Sequence, residues 1–275
     1  MKRIQFLPIV LAVVFIAWKY FTAETFVNPE TGQKHRVGMS EDQEQRLGLQ
    51  SYQQVLSEAQ VVRSGPEVDL VKRVAGRLAG ATGEAAKDFE WAVSVVQSDQ
   101  INAFCLPGGK IVVYTGILPV AQNEAGLATV MGHEMAHATG RHGSQRMLQS
   151  ELMQAGMMGA QVSMSDMDYQ QQRTVIALLG GAAQYGAILP FNRGHETEAD
   201  RMGLAYMARA GYDPREAIEF WKRMARAAAG GQKPPEFAST HPSDNTRIAN
   251  LERLMPEALK IYEASGSAAR KSLPK

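Results

Sequence analysis

Two histidines four positions apart with a glutamate beside the first, His133-Glu134-Met135-Ala136-His137, constrain this chain more than any other feature. On an α-helix, positions i and i+4 lie one above the other on one face, so both imidazoles can reach a single cation while Glu134 projects beside them. The run NEAGLATVMGHEMAHATGRH supplies that helix: Asn123 is placed to cap it, and Ala125, Leu127, Ala128, Val130 and Met131 lead on to Ala138 without a breaker. The pattern therefore predicts a helix over 122–140 that carries a metal on one face. A competing reading, in which two histidines and a glutamate merely decorate a helix, is opposed by that unbroken apolar context.

Two histidines do not complete a catalytic site, which takes three protein ligands and leaves one position for water or substrate. The metzincin spacing would place a third histidine at position 143, but the chain reads Gly140-Arg141-His142-Gly143, so His142 misses the register by one. The other route takes a carboxylate from a later helix. The segment His195-Glu196-Thr197-Glu198-Ala199-Asp200-Arg201 opens a helix predicted to end near Gly211, and Glu196 and Asp200 are again i and i+4. One face then offers Glu196 to the metal and Asp200, a turn further on, to the free ring nitrogen of a histidine ligand, while Glu198 points away. Acidic residues are favoured at a helix N-terminus by its dipole, which accounts for the charge there but not for its pairing on one face.

These two motifs, with NAFCLPGGKIVVYTGIL before the first and STHPSDNTRI after the second, resemble the HtpX and CAAX-prenyl-endopeptidase family of zinc gluzincins. Within it they look like the branch of exported bacterial BepA- and LoiP-like proteases and of the mitochondrial OMA type. The resemblance covers roughly residues 40–255. It implies His133, His137 and Glu196 as ligands of one Zn2+ per chain, Glu134 as general base, and Asp200 as the aspartate that orients a ligand histidine, or in some descriptions of the family donates a proton. It also implies an α+β, mainly helical, zincin-like domain with a small antiparallel sheet whose edge strand borders the active-site helix. His241, in Ser239-Thr240-His241-Pro242-Ser243, resembles a loop histidine that in exported members approaches the zinc. It either fills the open position at rest or hydrogen-bonds the transition-state oxyanion. His35, His142 and His195 are assigned to structure or solvent. HtpX-type members carry several membrane spans, whereas this chain offers one convincing N-terminal segment, which argues against prenylated-peptide processing inside a membrane chamber.

Lys+Arg 29 against Asp+Glu 28 leaves a net charge of +1, with no basic cluster, which excludes nucleic acid as a partner. Cys105 is the single cysteine, so the fold stands on packing or on a metal rather than on a disulfide. Lys2 and Arg3 precede the apolar run Phe6 to Trp18, a secretory pattern that reads either as a cleaved signal or as an anchor over residues 6–22. The expected organisation is a signal or anchor over 1–23, a polar linker over 24–39, the metallopeptidase domain over 40–265 and a polar tail over 266–275. Helices are expected from Ser40 toward Ala59, from Pro66 to Gly80, and over 143–160, 170–187, 194–210, 214–228 and 243–264, with a break at Pro256. Strands are expected over 89–97 and 110–115, paired antiparallel across the turn Pro107-Gly108-Gly109. Thr174 to Asn192 contains no charged residue, and its glycines and Pro190 favour a helix buried in the core over a second membrane segment. The methionines between Met147 and Met167 read as core filler or as the lining of an apolar peptide groove.

The function expected from this reading is zinc-dependent endopeptidase action on unfolded or misfolded envelope proteins, in an exported, periplasmic chain. The substrate would lie as an extended strand along 110–115. The alternative is a zinc-stabilised, chaperone-like periplasmic binding protein without turnover. Glu134, which a purely structural metal site does not need, favours the enzyme.

Overall fold

A computed structural model describes residues 5–230, 236–241 and 245–271. Lys2 and Arg3 of the N-terminal segment, Pro242 and Ser243 after His241, and the last four residues of the tail lie outside the described residues. In chain order the elements are α1 (Phe6–Thr22), β1 (Glu24–Val27), β2 (Lys34–Val37), α2 (Glu41–Glu58), β3 (Val61–Val62), α3 (Pro66–Ala79), β4 (Ala92–Val96), β5 (Ala103–Leu106) and β6 (Lys110–Tyr114). There follow α4 (Leu118–Ala121), α5 (Glu124–Thr139), α6 (His142–Ser163), α7 (Tyr169–Ala183), α8 (Leu189–Arg209), α9 (Glu216–Gly230), α10 (Glu236–Thr240) and α11 (Asn245–Lys271). The chain divides into two compact units, one made of residues up to Val27, Gly32–Ser40 and Arg141–His195, the other of Asn28–Thr31, Glu41–Gly140 and Glu196 onward.

The second unit is built round α5. Asn123 caps this helix as expected, its side chain accepting from the Gly126 N–H at 2.8 Å. Every residue from Gly126 to Thr139 is buried, so α5 has no solvent face and shows none of the amphipathic periodicity of a surface helix. It packs against β5, α3, α4 and α9, and its core partners include Val71, Leu78, Ile111, Met202, Tyr206, Phe220 and Trp221. Two glycines set its approach to α8. A Cβ on Gly203 would stand 3.0 Å from the His133 nitrogen and 3.1 Å from the Gly132 carbonyl carbon, so the two backbones meet where a side chain would hold them apart.

The sheet in this unit has the order β3-β4-β6-β5. The fold class is the expected one, but the strands pair differently. β4 and β6 run parallel, with Val95 beside Val113, and the antiparallel partner of β6 is β5, with Phe104 opposite Val112. The Pro107-Gly108-Gly109 turn therefore closes a β5–β6 hairpin, both glycines taking positive φ (77° and 81°). Strand 110–115 is consequently an interior strand, buried along Lys110–Val113, and the edge beside α5 is β5. The partly polar lead-in Asn102-Ala103-Phe104 hid this strand from pattern reading. Pro256 does not break α11: it lies on the exposed face, where water can satisfy the carbonyl that its missing N–H leaves unpaired.

The first unit contains a hairpin where a linker was expected. β1 pairs antiparallel with β2, Phe26 opposite His35, in strands of four residues whose charged members conceal any alternation. In this unit α1 lies along α6, and α6 packs against α7. One π turn, Gln184–Ile188, joins α7 to α8 without a break. That wider turn sits where Pro190 would otherwise orphan the carbonyl of Gly186, which explains why the proline does not stop the helix. The uncharged stretch from Thr174 is also not a core helix: no residue of α7 is buried.

Candidate metal centre

The helix α5 presents His133 and His137 on one face and Glu134 beside them, and the start of α8 within the second unit brings Glu196 over both rings. His133 Nε2 lies 3.1 Å from His137 Nε2 and 3.2 Å from Glu196 Oε2, and His137 Nε2 lies 3.3 Å from Glu196 Oε1. His241 completes the cluster, its Nδ1 at 2.9 Å from Glu196 Oε2 and 3.2 Å from His133 Nε2. The four donor atoms all fall within 4.8 Å of one another, in residues that are buried apart from the half-buried Glu196. Bonds of about 2.0–2.1 Å to a tetrahedral cation would set neighbouring donors about 3.3 Å apart, so a cation fits among these atoms. Two or three imidazole nitrogens crowded on one carboxylate are what such a cation needs and what an ordinary polar core avoids.

A second set of contacts orients the first. Asp200 Oδ1 is 3.0 Å from His133 Nδ1, so it accepts that ring N–H and directs the Nε2 lone pair toward the shared point. The guanidinium of Arg247 donates to Asp200 Oδ1 at 2.5 Å and to Glu196 Oε2 at 3.2 Å, while its carbon lies 3.4 Å above the Trp221 ring. Phe237 packs under His241 with ring centres 4.7 Å apart and stacks on Trp221. Burial alone would raise the Glu196 carboxyl, but hydrogen bonds to His133, His137 and His241 outweigh it and hold the group far below the ordinary carboxylate range. Burial opposes charge on Asp200 too, and Arg247 with His133 keeps it ionised, its pKa lowered. Glu134 is buried, with Oε1 3.4 Å from His241 Nε2.

All six residues singled out in the sequence, His133, Glu134, His137, Glu196, Asp200 and His241, thus converge. Glu198 points away, as expected, accepting from Asn28 Nδ2 at 2.8 Å and Thr31 Oγ1 at 2.7 Å. His142 and His195 stack face to face with ring centres 4.3 Å apart in the first unit, and His195 pairs with Gln145, consistent with a structural assignment. Arg247, Trp221 and Phe237 were not anticipated. Arg247 had a readable signal: it begins the buried stripe Arg247, Leu251, Met255, Ala258 of α11, and a charge in an apolar stripe needs a partner.

Two i, i+4 histidines with an intervening glutamate, met by a carboxylate from a second helix over a small mixed sheet, define a metal-dependent peptidase of zincin-like fold. More particularly, residues 68–255 match Peptidase family M48, and the chain belongs to that family. The chain is 35% identical over 249 residues to "Mitochondrial metalloendopeptidase OMA1" of Schizosaccharomyces pombe, covering 90% of this chain and 71% of that protein. It is 40% identical over 177 residues to the Arabidopsis thaliana protein of that name, covering 62% of this chain and 33% of the relative. It is 26% identical over 226 residues to "Beta-barrel assembly-enhancing protease" of Escherichia coli, covering 81% of this chain and 46% of the relative. The chain thus spans half or less of the length of the last two.

Proposed function

We propose that this protein is a zinc-dependent endopeptidase that cleaves unfolded or misfolded envelope proteins in the periplasm. The observation that carries the reading is the convergence of His133, His137 and Glu196 with Glu134 held beside them. Nitrogen and carboxylate donors in a four-atom cluster suit zinc better than the harder cations. Zinc, when bound, supplies Lewis acidity that polarises the scissile carbonyl and acidifies water. Glu134 then removes a proton from the attacking water onto its carboxylate and passes it to the leaving amine. Asp200 holds His133 in the tautomer whose Nε2 is free, and Arg247 keeps Asp200 charged while it does so. His241 is the fourth residue of the cluster and would take up the position that a substrate carbonyl needs, so on this reading it withdraws before substrate enters.

Substrate recognition is assigned to β5, which borders α5 and pairs on one side with β6. An extended segment adding to its other side would be held by backbone hydrogen bonds, and folded proteins rarely offer free extended backbone. Cys105 lies on this strand, near enough to Glu134 for that charge, after burial, to push its thiol pKa well up. The relatives named as metalloendopeptidases and as a β-barrel assembly-enhancing protease support hydrolysis and an envelope setting. Zinc content measured on the purified full chain, followed by casein cleavage with and without Glu134→Gln, tests the reading. One zinc per chain is expected, with cleavage reduced at least about a hundredfold in the variant. Zinc bound without cleavage by the parent protein would support the chaperone-like alternative instead; cleavage that survives Glu134→Gln discards the mechanism.

A further inference from the structure

Glu196 and Asp200 come from one helix and the two histidines from another, so the cluster forms only if α8 stands at one rotation about its own axis. The line of closest approach between α5 and α8 fixes their separation. Along it Asp200 meets His133, Gly203 rests on Gly132 and His133, and the Thr129 hydroxyl lies 3.8 Å from the Met207 sulfur. Residues 196, 200, 203 and 207 share a single stripe of α8, and contacts on one stripe act as a hinge, holding the helices together without stopping a roll. A carboxylate about 6 Å from the helix axis moves about 1 Å for a roll of about 10°. Metal–donor distances hold to about 0.2 Å, so a roll of that size breaks the site.

A polar contact lies off that stripe. Tyr206 stands about 100° round α8 from Met207. Its ring reaches back toward the ligand end of the crossing, where the phenol oxygen lies 2.9 Å from the hydroxyl of Thr139, two residues past His137 in α5. Thr139 donates to the Ala136 carbonyl at 3.3 Å, so it accepts from Tyr206. Both side chains are buried, and Tyr206 belongs to the apolar core that surrounds α5. The guanidinium of Arg209 lies over the Tyr206 ring at 5.3 Å and is itself held by Glu30 at 2.6 Å, which fixes the ring from its other side. Burial raises the phenol pKa above its ordinary value and so keeps its proton on the oxygen as a donor. A phenylalanine would fill this space without burying a hydroxyl; what the oxygen adds is a directional tie.

We propose that Tyr206 and Thr139 are positioning residues of the metal centre: their hydrogen bond sets the roll of α8 against α5, and with it the aim of the Glu196 carboxylate at the point shared by His133 and His137. Gly203 is the pivot and the Tyr206 ring is the arm. Both roles rest on the metal-binding reading of the cluster and are independent of turnover.

Aim and stability can be separated because the two hydroxyls are not equally costly to remove. Tyr206→Phe leaves Thr139 its bond to Ala136, whereas Thr139→Val strands a buried phenol and is the less stable of the two. Removing both strands nothing, so the metal-free double variant is expected to melt within about 4 °C of the parent. Zinc affinity is measured on the full chain by competition with a chromogenic chelator, and the absorption of the cobalt-loaded protein reads the ligand geometry. Tyr206→Phe and the double variant are expected to bind zinc at least about tenfold more weakly than the parent, as when other groups that orient metal ligands are removed, and to shift the cobalt d–d band. Parental zinc affinity with an unshifted band in the double variant would reduce the bond to core packing and overturn the proposal. Weaker binding confined to Thr139→Val, in step with its lost stability, would do the same. Should the double variant melt well below the parent, the cobalt band recorded below its transition still decides: shifted supports the proposal, unshifted overturns it. A parent chain that binds no zinc would instead overturn the metal-binding reading of the cluster, and these two roles with it.

Discussion

His241 is the residue on which the state of the site turns. Its Nδ1 sits within hydrogen-bond distance of both Glu196 and His133, and its ring is backed by Phe237, so it would compete with substrate for a cation held by those residues. A site with four protein donors is the closed, structural kind; a catalytic one keeps a vacancy. His241→Ala is therefore expected to raise casein turnover about tenfold, roughly the effect of removing 1.4 kcal/mol of competing ligation, while weakening zinc retention against a chelator. Unchanged turnover together with unchanged retention would remove His241 from the site. At this scale the five residues of the two helical motifs were legible because i, i+4 spacing converts directly into a shared face. Arg247 was not, since a charge near the start of a helix reads as solvent-facing until Trp221 and Asp200 are known to stand across from it.

Among the elements, the crossing of α5 and α8 decides whether the two motifs meet. Gly203 rests on the backbone of His133, and backbone cannot yield as a flexible side chain would. Alanine there would gain up to about 1 kcal/mol of helix propensity but lose about 1–3 kcal/mol to overpacking. Gly203→Ala is accordingly expected to lower the melting temperature and to weaken zinc affinity by displacing Glu196. Gly76 in α3 meets nothing within 4 Å, and Gly76→Ala should instead be neutral or stabilising by up to about 1 kcal/mol. If calorimetry gave both variants the same sign, close packing at the crossing would not be what positions α8. Most helices were legible from periodicity and caps, but the expected helices 170–187 and 194–210 are one continuous helix, and the last runs unbroken through Pro256 to Lys271 rather than ending at 264. Strand pairing was not: β4 and β6 are parallel neighbours separated in sequence by β5, and nothing local in either strand marks the crossover. The stretch after Thr174 was misread because an uncharged run looks the same from sequence whether or not the rest of the chain packs round it, and no residue of α7 is buried.

At the scale of the whole molecule, one continuous helix, Tyr169–Arg209, serves both compact units, carrying uncharged apolar surface in its first half and Glu196, Glu198 and Asp200 in its second. Within the second unit the turn Asn28–Thr31 is fastened to it. Asn28 is fully buried, Asn28 and Thr31 both donate to Glu198, and Glu30 pairs with Arg209 at 2.6 Å. Glu198 stands two residues from Glu196 and two from Asp200, so a cation held by Glu196 would brace the same short length of helix as the turn does. By linkage, whatever stabilises one attachment stabilises the other. Stripping the cation with a chelator should then quicken amide hydrogen exchange at Glu30, whose N–H donates to Asn28 Oδ1 at 3.0 Å, and resupplying zinc should slow it again. An exchange rate indifferent to chelation would mean that the turn and the ligand helix loosen independently. The tie makes a four-residue turn, a hundred positions upstream of either histidine, a built-in gauge of whether the enzyme is loaded.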